Sequence, residues 1–278
     1  MRSVVITGTS TGIGFDAARA LVALGYRVYG SVRTSADAAR VSAALGEAFV
    51  PLIFDVTDGA GIASGAERVR VELGAENLAA LVNNAGIAPT GPLMHQPFDE
   101  IRRIFEVNVF GLLAVTRAFL PLLGARHDAP HPRGRIVNIS SLAGRLVFPF
   151  AGAYAASKHA VEALSDALRR ELMQYSINVS AIEPGTIRTE IWDKFEASAI
   201  DKRYAATDYA RAVAAMPGLV SADVARGDPV GKVTAAICEA IEARHPRARY
   251  VLTRRWQLPR WIPAHMLDRE INKRMKLR

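Results

Sequence analysis

The stretch Ser3-Val-Val-Ile-Thr7-Gly8-Thr-Ser-Thr-Gly12-Ile-Gly14, continuing into Phe-Asp-Ala-Ala-Arg-Ala-Leu21, decides the fold. Its first residues form a short β-branched run, as in a buried strand, whereas residues 13–24 carry apolar side chains at helical spacing. Three glycines fill the turn between. A strand that passes through a glycine turn straight into a helix presents backbone N–H groups at the helix N-terminus, where the helix dipole favours an anion. Glycine suits the turn because a side chain would keep a phosphate off the backbone. The spacing, Gly-x-x-x-Gly-x-Gly, departs from the Gly-x-Gly-x-x-Gly of the common dinucleotide fingerprint.

Outward from this unit the alternation repeats along the chain. Strands are predicted at 3–7, 27–32, 50–55, 80–83, 134–139, 178–183 and 249–252, and helices at 13–24, 36–45, 61–73, 98–123, 154–175 and 229–243. Strands separated by helices predict an α/β fold, a doubly wound parallel sheet of about seven strands with helices on both faces, in a single domain. Ligands then gather at the carboxyl ends of the strands. The Pro/His-rich stretch 126–133 reads as an exposed loop.

The chain has 278 residues, half of them apolar, so a large core is expected and general disorder is excluded. Net charge is +8, yet residues 254–278 hold eight Lys/Arg against Asp268 and Glu270, a net of +6 that leaves the body near neutral. A general nucleic-acid surface is therefore not expected. Cys238 has no partner for a disulfide, and the six histidines are scattered, so a reducing compartment and no metal site are expected. The opening residues are too few for a signal peptide, and no run of eighteen uninterrupted apolar residues occurs. These features predict a soluble, cytoplasmic protein without a transmembrane span.

The chemistry begins at the ends of the predicted strands. After the second, an acidic residue would bind a ribose 2′-hydroxyl and a basic one a 2′-phosphate. Here Ser31 and Arg33 stand with no carboxylate, which favours NADP(H) over NAD(H). After the third, Asp55 and Val56 are placed to contact adenine. After the fourth, Asn83-Asn-Ala85-Gly86 supplies polar side chains and a tight turn. Tyr154 and Lys158 lie four apart on a predicted helix and so share one face. A free phenol titrates near ~10, and a cation beside it draws that value toward the range useful for acid/base catalysis. Ser141, thirteen positions upstream of Tyr154, adds a hydroxyl that would orient a carbonyl or alcohol oxygen. Taken alone, the Tyr-x-x-x-Lys spacing is equally compatible with a surface helix pair.

In order and spacing, Thr7-Gly-x-x-x-Gly-Ile-Gly14, Asn83-Asn-Ala-Gly86, Asn108, Ser141, Tyr154-x-x-x-Lys158 and Pro184-Gly-x-x-x-Thr189 match the motifs of one family. Over roughly residues 1–253 the chain resembles the compact, single-domain short-chain dehydrogenase/reductases, and within them the 17β-hydroxysteroid and retinol dehydrogenase-like branch. The resemblance implies a Rossmann-type fold and an oxidoreductase acting on CH–OH groups. It implies that Tyr154 is the general acid/base, that Lys158 lowers its pKa and binds the nicotinamide ribose, and that Ser141 rather than Ser140 holds the substrate oxygen. Asn108 would anchor a water linking Lys158 to solvent. The cofactor would lie against Gly8, Ser10, Thr11, Gly12, Ile13 and Gly14, against Asn83, Ala85 and Gly86, and against Pro184, Gly185, Ile187 and Thr189. Homodimers or homotetramers are usual in the family.

Apolar residues after Ser141 (Leu142, Val147, Phe148), after Gly86 (Pro92, Leu93, Met94) and in a substrate loop at about 187–227 (Ile191, Trp192, Phe195, Tyr204, Tyr209, Met216) are the expected pocket walls. They suit a hydrophobic secondary alcohol or ketone of steroid, retinoid or lipid-like character. His95 and Arg145 are either polar substrate contacts or exposed surface. In the basic tail 254–278, Leu267, Ile271 and Met275 recur every fourth residue, which predicts an amphipathic helix. The tail would lie on an anionic membrane, cover the pocket, or pack against the body or a second subunit. Two other activities fit parts of the pattern: an NADP(H)-binding regulator without turnover, and an epimerase or dehydratase of the longer relatives. The latter carry Gly-x-x-Gly-x-x-Gly and a larger C-terminal domain, both missing here.

Overall fold

Val4 and Ile6 pack into one apolar cluster and Val5 into another, all fully buried. Val82 and Leu81, and Val137 and Ile136, divide between the two clusters in the same way. Alternate residues of a strand point to opposite faces, so strands apolar at every position need cover on both sides. The computed structural model describes residues 1–188, 203–253 and 263–275 and shows how that cover is supplied.

Among the described residues nine strands form: β1 (Ser3–Ile6), β2 (Arg27–Val32), β3 (Phe49–Ile53), β4 (Ala80–Asn83), β5 (Arg135–Ile139), β6 (Asn178–Glu183), β7 (Ile187–Arg188), β8 (Asp228–Pro229) and β9 (Arg249–Val251). Seven of them make one sheet in the order β3-β2-β1-β4-β5-β6-β9. All its pairings are parallel. One face is covered by α1 (Gly12–Ala23), α2 (Ser35–Leu45) and α8 (Val230–Glu242), which contribute Leu21, Val41 and Ile237. The other is covered by α3 (Gly59–Leu73), α5 (Leu112–Phe119) and α6 (Gly152–Glu171), which contribute Val69, Phe119 and Leu168. The seven-stranded, doubly wound, single-domain expectation is met, with strand ends shifted by a residue or two. Strand order reverses between β1 and β4, and the crevice there is where such sheets take ligands.

Three features differ from the sequence reading. The predicted helix 98–123 is four pieces: α4 (Phe98–Phe105), a π turn (Glu106–Gly111), α5 and a 3₁₀ turn (Leu120–Leu123). The turn ends at Gly111, where the chain passes so close to Val56 that a Cβ would stand 2.9 Å from both its Cγ2 and its carbonyl oxygen. This run is also long and apolar enough for a membrane span, with mean hydropathy 1.5, but half of that window is buried inside the fold. Secondly, residues assigned to the substrate loop form α7 (Ala210–Ala225), with Pro217 inside it. Ala212, Val213 and Met216 bury that helix against Phe150 and Tyr204, and this packing overrides the Pro-Gly break. Thirdly, β7 pairs with β8 and pins the base of the same segment. The tail helix forms as α9 (Ala264–Met275) and contacts α7. Ile191, Trp192, Phe195 and Thr189 lie outside the described residues.

Ile136 lies on β5, between β4 and β6, with no exposed surface, whereas Val71 on α3 is 64% exposed. In urea unfolding, Ile136→Ala is expected to lose about 2–5 kcal/mol and Val71→Ala less than about 0.5 kcal/mol.

Candidate active site

The glycine turn is shaped by what surrounds it. Gly8 and Gly12 hold positive φ, 70° and 60°, which side-chain-bearing residues rarely adopt. A Cβ on Gly14 would collide with the Gly8 carbonyl and the Asn84 amide. Thr11 stands at the N-cap of α1 with no side-chain hydrogen bond, and the first turn contains no acidic residue. The N–H groups at this helix start are thus left without a side-chain acceptor, and Ser10, Thr11, Gly12 and Ile13 remain partly exposed around them. That cradle fits a diphosphate.

Two residues outside the sequence-predicted set tie this loop to the next. Buried Thr7 accepts from the backbone N–H of Asn84 and of Ala85, each at 3.0 Å. Asn84 in turn donates to the carbonyls of Thr7 and Gly8 at 2.9 and 3.0 Å. Asn83, expected at the cofactor, instead faces the interior. It is buried and donates to Thr116 and Asn138, each at 2.9 Å, so its side chain supports the sheet rather than the crevice. The final residue of a strand alternates inward as readily as outward, and the motif gives no sign of which.

At the end of β2, Ser31 is buried and its hydroxyl accepts from Gly8 N–H at 3.0 Å, so it shapes the loop. Arg33 is exposed beside it. Arg40 on α2, missed in the sequence, donates to the Ser10 carbonyl at 2.9 Å and pairs with Asp37 at 2.7 Å. Arg40, Thr34 and Arg33 together hold the Asp37 carboxyl below its usual range. Asp55 accepts from the backbone and hydroxyl of Thr57 and pairs with Arg103 at 3.3 Å. Val56 is buried beneath it.

Ser141, Tyr154 and Lys158 converge at the carboxyl end of β5. Ser141 caps the 3₁₀ turn Leu142–Gly144, its hydroxyl accepting from Ala143 N–H at 3.1 Å, and that hydroxyl is close enough to the Tyr154 phenol to act on its pKa. Ser140 is buried under the turn, and its oxygen lies 3.0 Å from where a Cβ on Gly144 would stand. Lys158 is 6% exposed, and its ammonium donates to the Ile139 carbonyl at 2.8 Å and lies 5.9 Å from the centre of the Tyr154 ring. Burial lowers its pKa to about 8, with the charge of Glu162 opposing. The phenol differs from the sequence expectation: burial pushes Tyr154 above its ordinary value, and Ser141 opposes. In the chain by itself, desolvation outweighs the one opposing influence, the Ser141 hydroxyl.

Asn108 lies on the π turn, fully enclosed. Its oxygen accepts from Ile87 N–H at 2.9 Å, and its amide donates to the Ile87 carbonyl at 2.9 Å and to Ser157 at 3.0 Å. Ser157 donates to the Tyr154 carbonyl at 2.7 Å. Both donors of its side-chain amide are thus engaged, and it links the Gly86 loop to α6. A Cβ on Gly86 would lie 3.3 Å from the Asn108 oxygen and 3.8 Å from the Lys158 nitrogen. Pro184 is buried and its carbonyl accepts from Leu142 N–H at 2.8 Å. Gly185 is pressed against Thr253, and Ile187 is buried in β7. His95 is exposed and stacks edge-on against Tyr209 at 5.8 Å. Arg145 is bound to Glu183.

A sequence profile of the short chain dehydrogenase family matches residues 2–199. The chain belongs to the short-chain dehydrogenase family. An "NADPH-dependent 3-dehydrocapnine reductase" of Ornithobacterium rhinotracheale is 40% identical over 99% of this chain and 98% of its own length. Human retinol dehydrogenase 16 is 34% identical over 89% of this chain and 79% of its own. A solved short-chain dehydrogenase from Streptomyces avermitilis covers 99% of this chain and is itself covered over 97%, with 29% identity and a TM-score of 0.73. This dehydrogenase is accordingly an oxidoreductase of the retinol dehydrogenase-like branch, in a family that uses NAD(P).

Ala normally favours a helix over Gly by about 1 kcal/mol, yet in this dehydrogenase the collision at Gly14 is expected to dominate. Gly14→Ala should weaken NAD(P)H binding, read by nucleotide fluorescence, and lower the melting temperature.

Proposed function

We propose that this dehydrogenase uses NADP(H) to interconvert a hydrophobic secondary alcohol and its ketone, working in the direction of carbonyl reduction. The observation that carries the reading is the convergence of Ser141, Tyr154 and the buried Lys158 at one strand end, facing Gly86 and the Pro184-Gly185 turn. The N–H groups at the start of α1 would hold the diphosphate, Arg33 the 2′-phosphate, Asp55 and Val56 the adenine, Ala85 and Gly86 the adjoining ribose, and Pro184, Gly185 and Ile187 the nicotinamide. Lys158 would hold the nicotinamide ribose. When bound, the nicotinamide supplies the hydride.

Everything else is done by the chain. Ser141 holds the carbonyl oxygen. Tyr154 gives that oxygen its proton, and a phenol that burial keeps protonated suits this direction. The Lys158 ammonium stabilises the phenolate left behind. Leu93, Met94 and Val147 are 61%, 78% and 49% exposed, and Leu93 would meet a Cβ on Gly152, two residues before Tyr154. Apolar surface so near the reacting atoms supports a hydrophobic substrate. The name of the Ornithobacterium relative, a reductase that uses NADPH, supports both the cofactor and the direction.

Tyr154→Phe should abolish NADPH oxidation across a panel of hydrophobic ketones while NADPH affinity stays within about threefold of the unmodified enzyme. Normal turnover by that variant would remove the proposed mechanism. The sign of the pH dependence follows from Lys158. Below about pH 8 its ammonium is present and kcat/KM for reduction should be level; above it the charge is lost and the rate should fall.

A further inference from the structure

Two arginines and three carboxylates lie beneath the serine turn, and apart from the charge that Glu162 presents to Lys158 the reaction makes no use of them. Arg145, one residue past the turn, grips Glu183 side-on through Nε at 2.6 Å and a terminal nitrogen at 2.8 Å. Glu183 ends β6, is 1% exposed and directly precedes Pro184-Gly185. Arg249 on β9 binds Glu162 at 3.0 Å and Asp166 at 2.9 Å, both on α6, and approaches Glu183 at 3.5 Å. Glu162 lies one helical turn after Lys158.

Stability does not account for this arrangement. Removing an ion pair from water is expensive, and replacing such pairs with apolar residues is often neutral or stabilising. What a two-point Arg–carboxylate fork does provide is a fixed distance and angle between the segments that carry it. Those segments are the ones that the reaction must align. Leu142 N–H donates to the Pro184 carbonyl and Ser140 N–H to the Ile182 carbonyl, each at 2.8 Å, so serine turn and cofactor turn already run side by side. The turn also rests directly on α6, because a Cβ on Gly144 would stand 3.0 Å from the Lys158 carbonyl and 3.1 Å from Glu162.

We propose that Arg145 and Glu183 are positioning residues, a clamp that sets the Ser141 turn against the Pro184-Gly185 turn, with Arg249 anchoring it to α6. The inference rests on the roles assigned to Ser141, Tyr154 and Lys158 above. Arg145 touches no reacting atom in this account. It acts through the serine turn.

The test combines kinetics with amide hydrogen exchange in Arg145→Ala, Arg145→Lys and Glu183→Gln. Arg145→Ala should lower kcat about 10–100-fold, the scale of a misplacement near 1 Å, with the KM for NADPH changed less than about threefold. The Leu142 amide should exchange about tenfold faster while Ile136 and Ile182 in the sheet keep their protection. Arg145→Lys, which keeps the charge but loses the fork, should recover only part of kcat, and Glu183→Gln should shift both readings in the same direction. Should Arg145→Ala fail to fold, the other two variants carry the test. The clamp is overturned if Leu142 exchange is unchanged, or if kcat stays within about twofold in every variant that folds. Absence of turnover of hydrophobic ketones by the unmodified enzyme would overturn the proposed alcohol–ketone interconversion, and with it the catalytic role of the clamp, whatever the exchange data show.

Discussion

A buried ammonium is the constraint on which the site depends. An ammonium held away from water is costly unless polar groups surround it. Lys158 meets that requirement with the Ile139 carbonyl at the carboxyl end of β5, and Glu162 one turn along the helix opposes the loss of its charge. The neighbouring constraints follow. Gly86 leaves room for the lysine and for Asn108, the π turn delivers Asn108 to Ile87 and Ser157, and Ser157 fixes the backbone of Tyr154.

The parallel sheet makes that arrangement affordable in structural terms. Every strand ends at the same edge, so loops after β1, β4, β5 and β6 meet there without long excursions. Hydrogen bonds then lock loop to loop: Thr7 to Asn84 and Ala85, Ser31 to Gly8, Leu142 to Pro184. A site built on rigid strand ends holds Ser141, Tyr154 and Lys158 in place before any ligand arrives.

The strands of the main sheet and the glycine turn were legible because their signals are local: β-branched runs, helical spacing, and a turn only glycine can make. Ser141, Tyr154 and Lys158 were legible as a set because several motifs recur at fixed separations, not because any one is distinctive. What stayed hidden depends on partners distant in sequence. Asn83 turns inward because Thr116 and Asn138 receive it. The helix α7 survives Pro217 because Phe150 and Tyr204 bury its apolar side. The phenol of Tyr154 shifts up rather than down because enclosure by the fold outweighs the Ser141 hydroxyl beside it. Arg145, read as exposed surface or substrate contact, keeps an exposed edge yet grips a carboxylate thirty-eight positions away. No window of sequence contains both halves of these interactions.

The charge state of Lys158 decides whether the site is built as described. Its side-chain resonance can be followed by NMR in protein carrying isotope-labelled lysine, assigned by its disappearance in Lys158→Met, and titrated without any substrate. A midpoint at about 8, well below the ordinary 10.5, is the expected result. A midpoint near 10.5 would mean that the ammonium is solvated, and would contradict the buried, charge-tuned site described above.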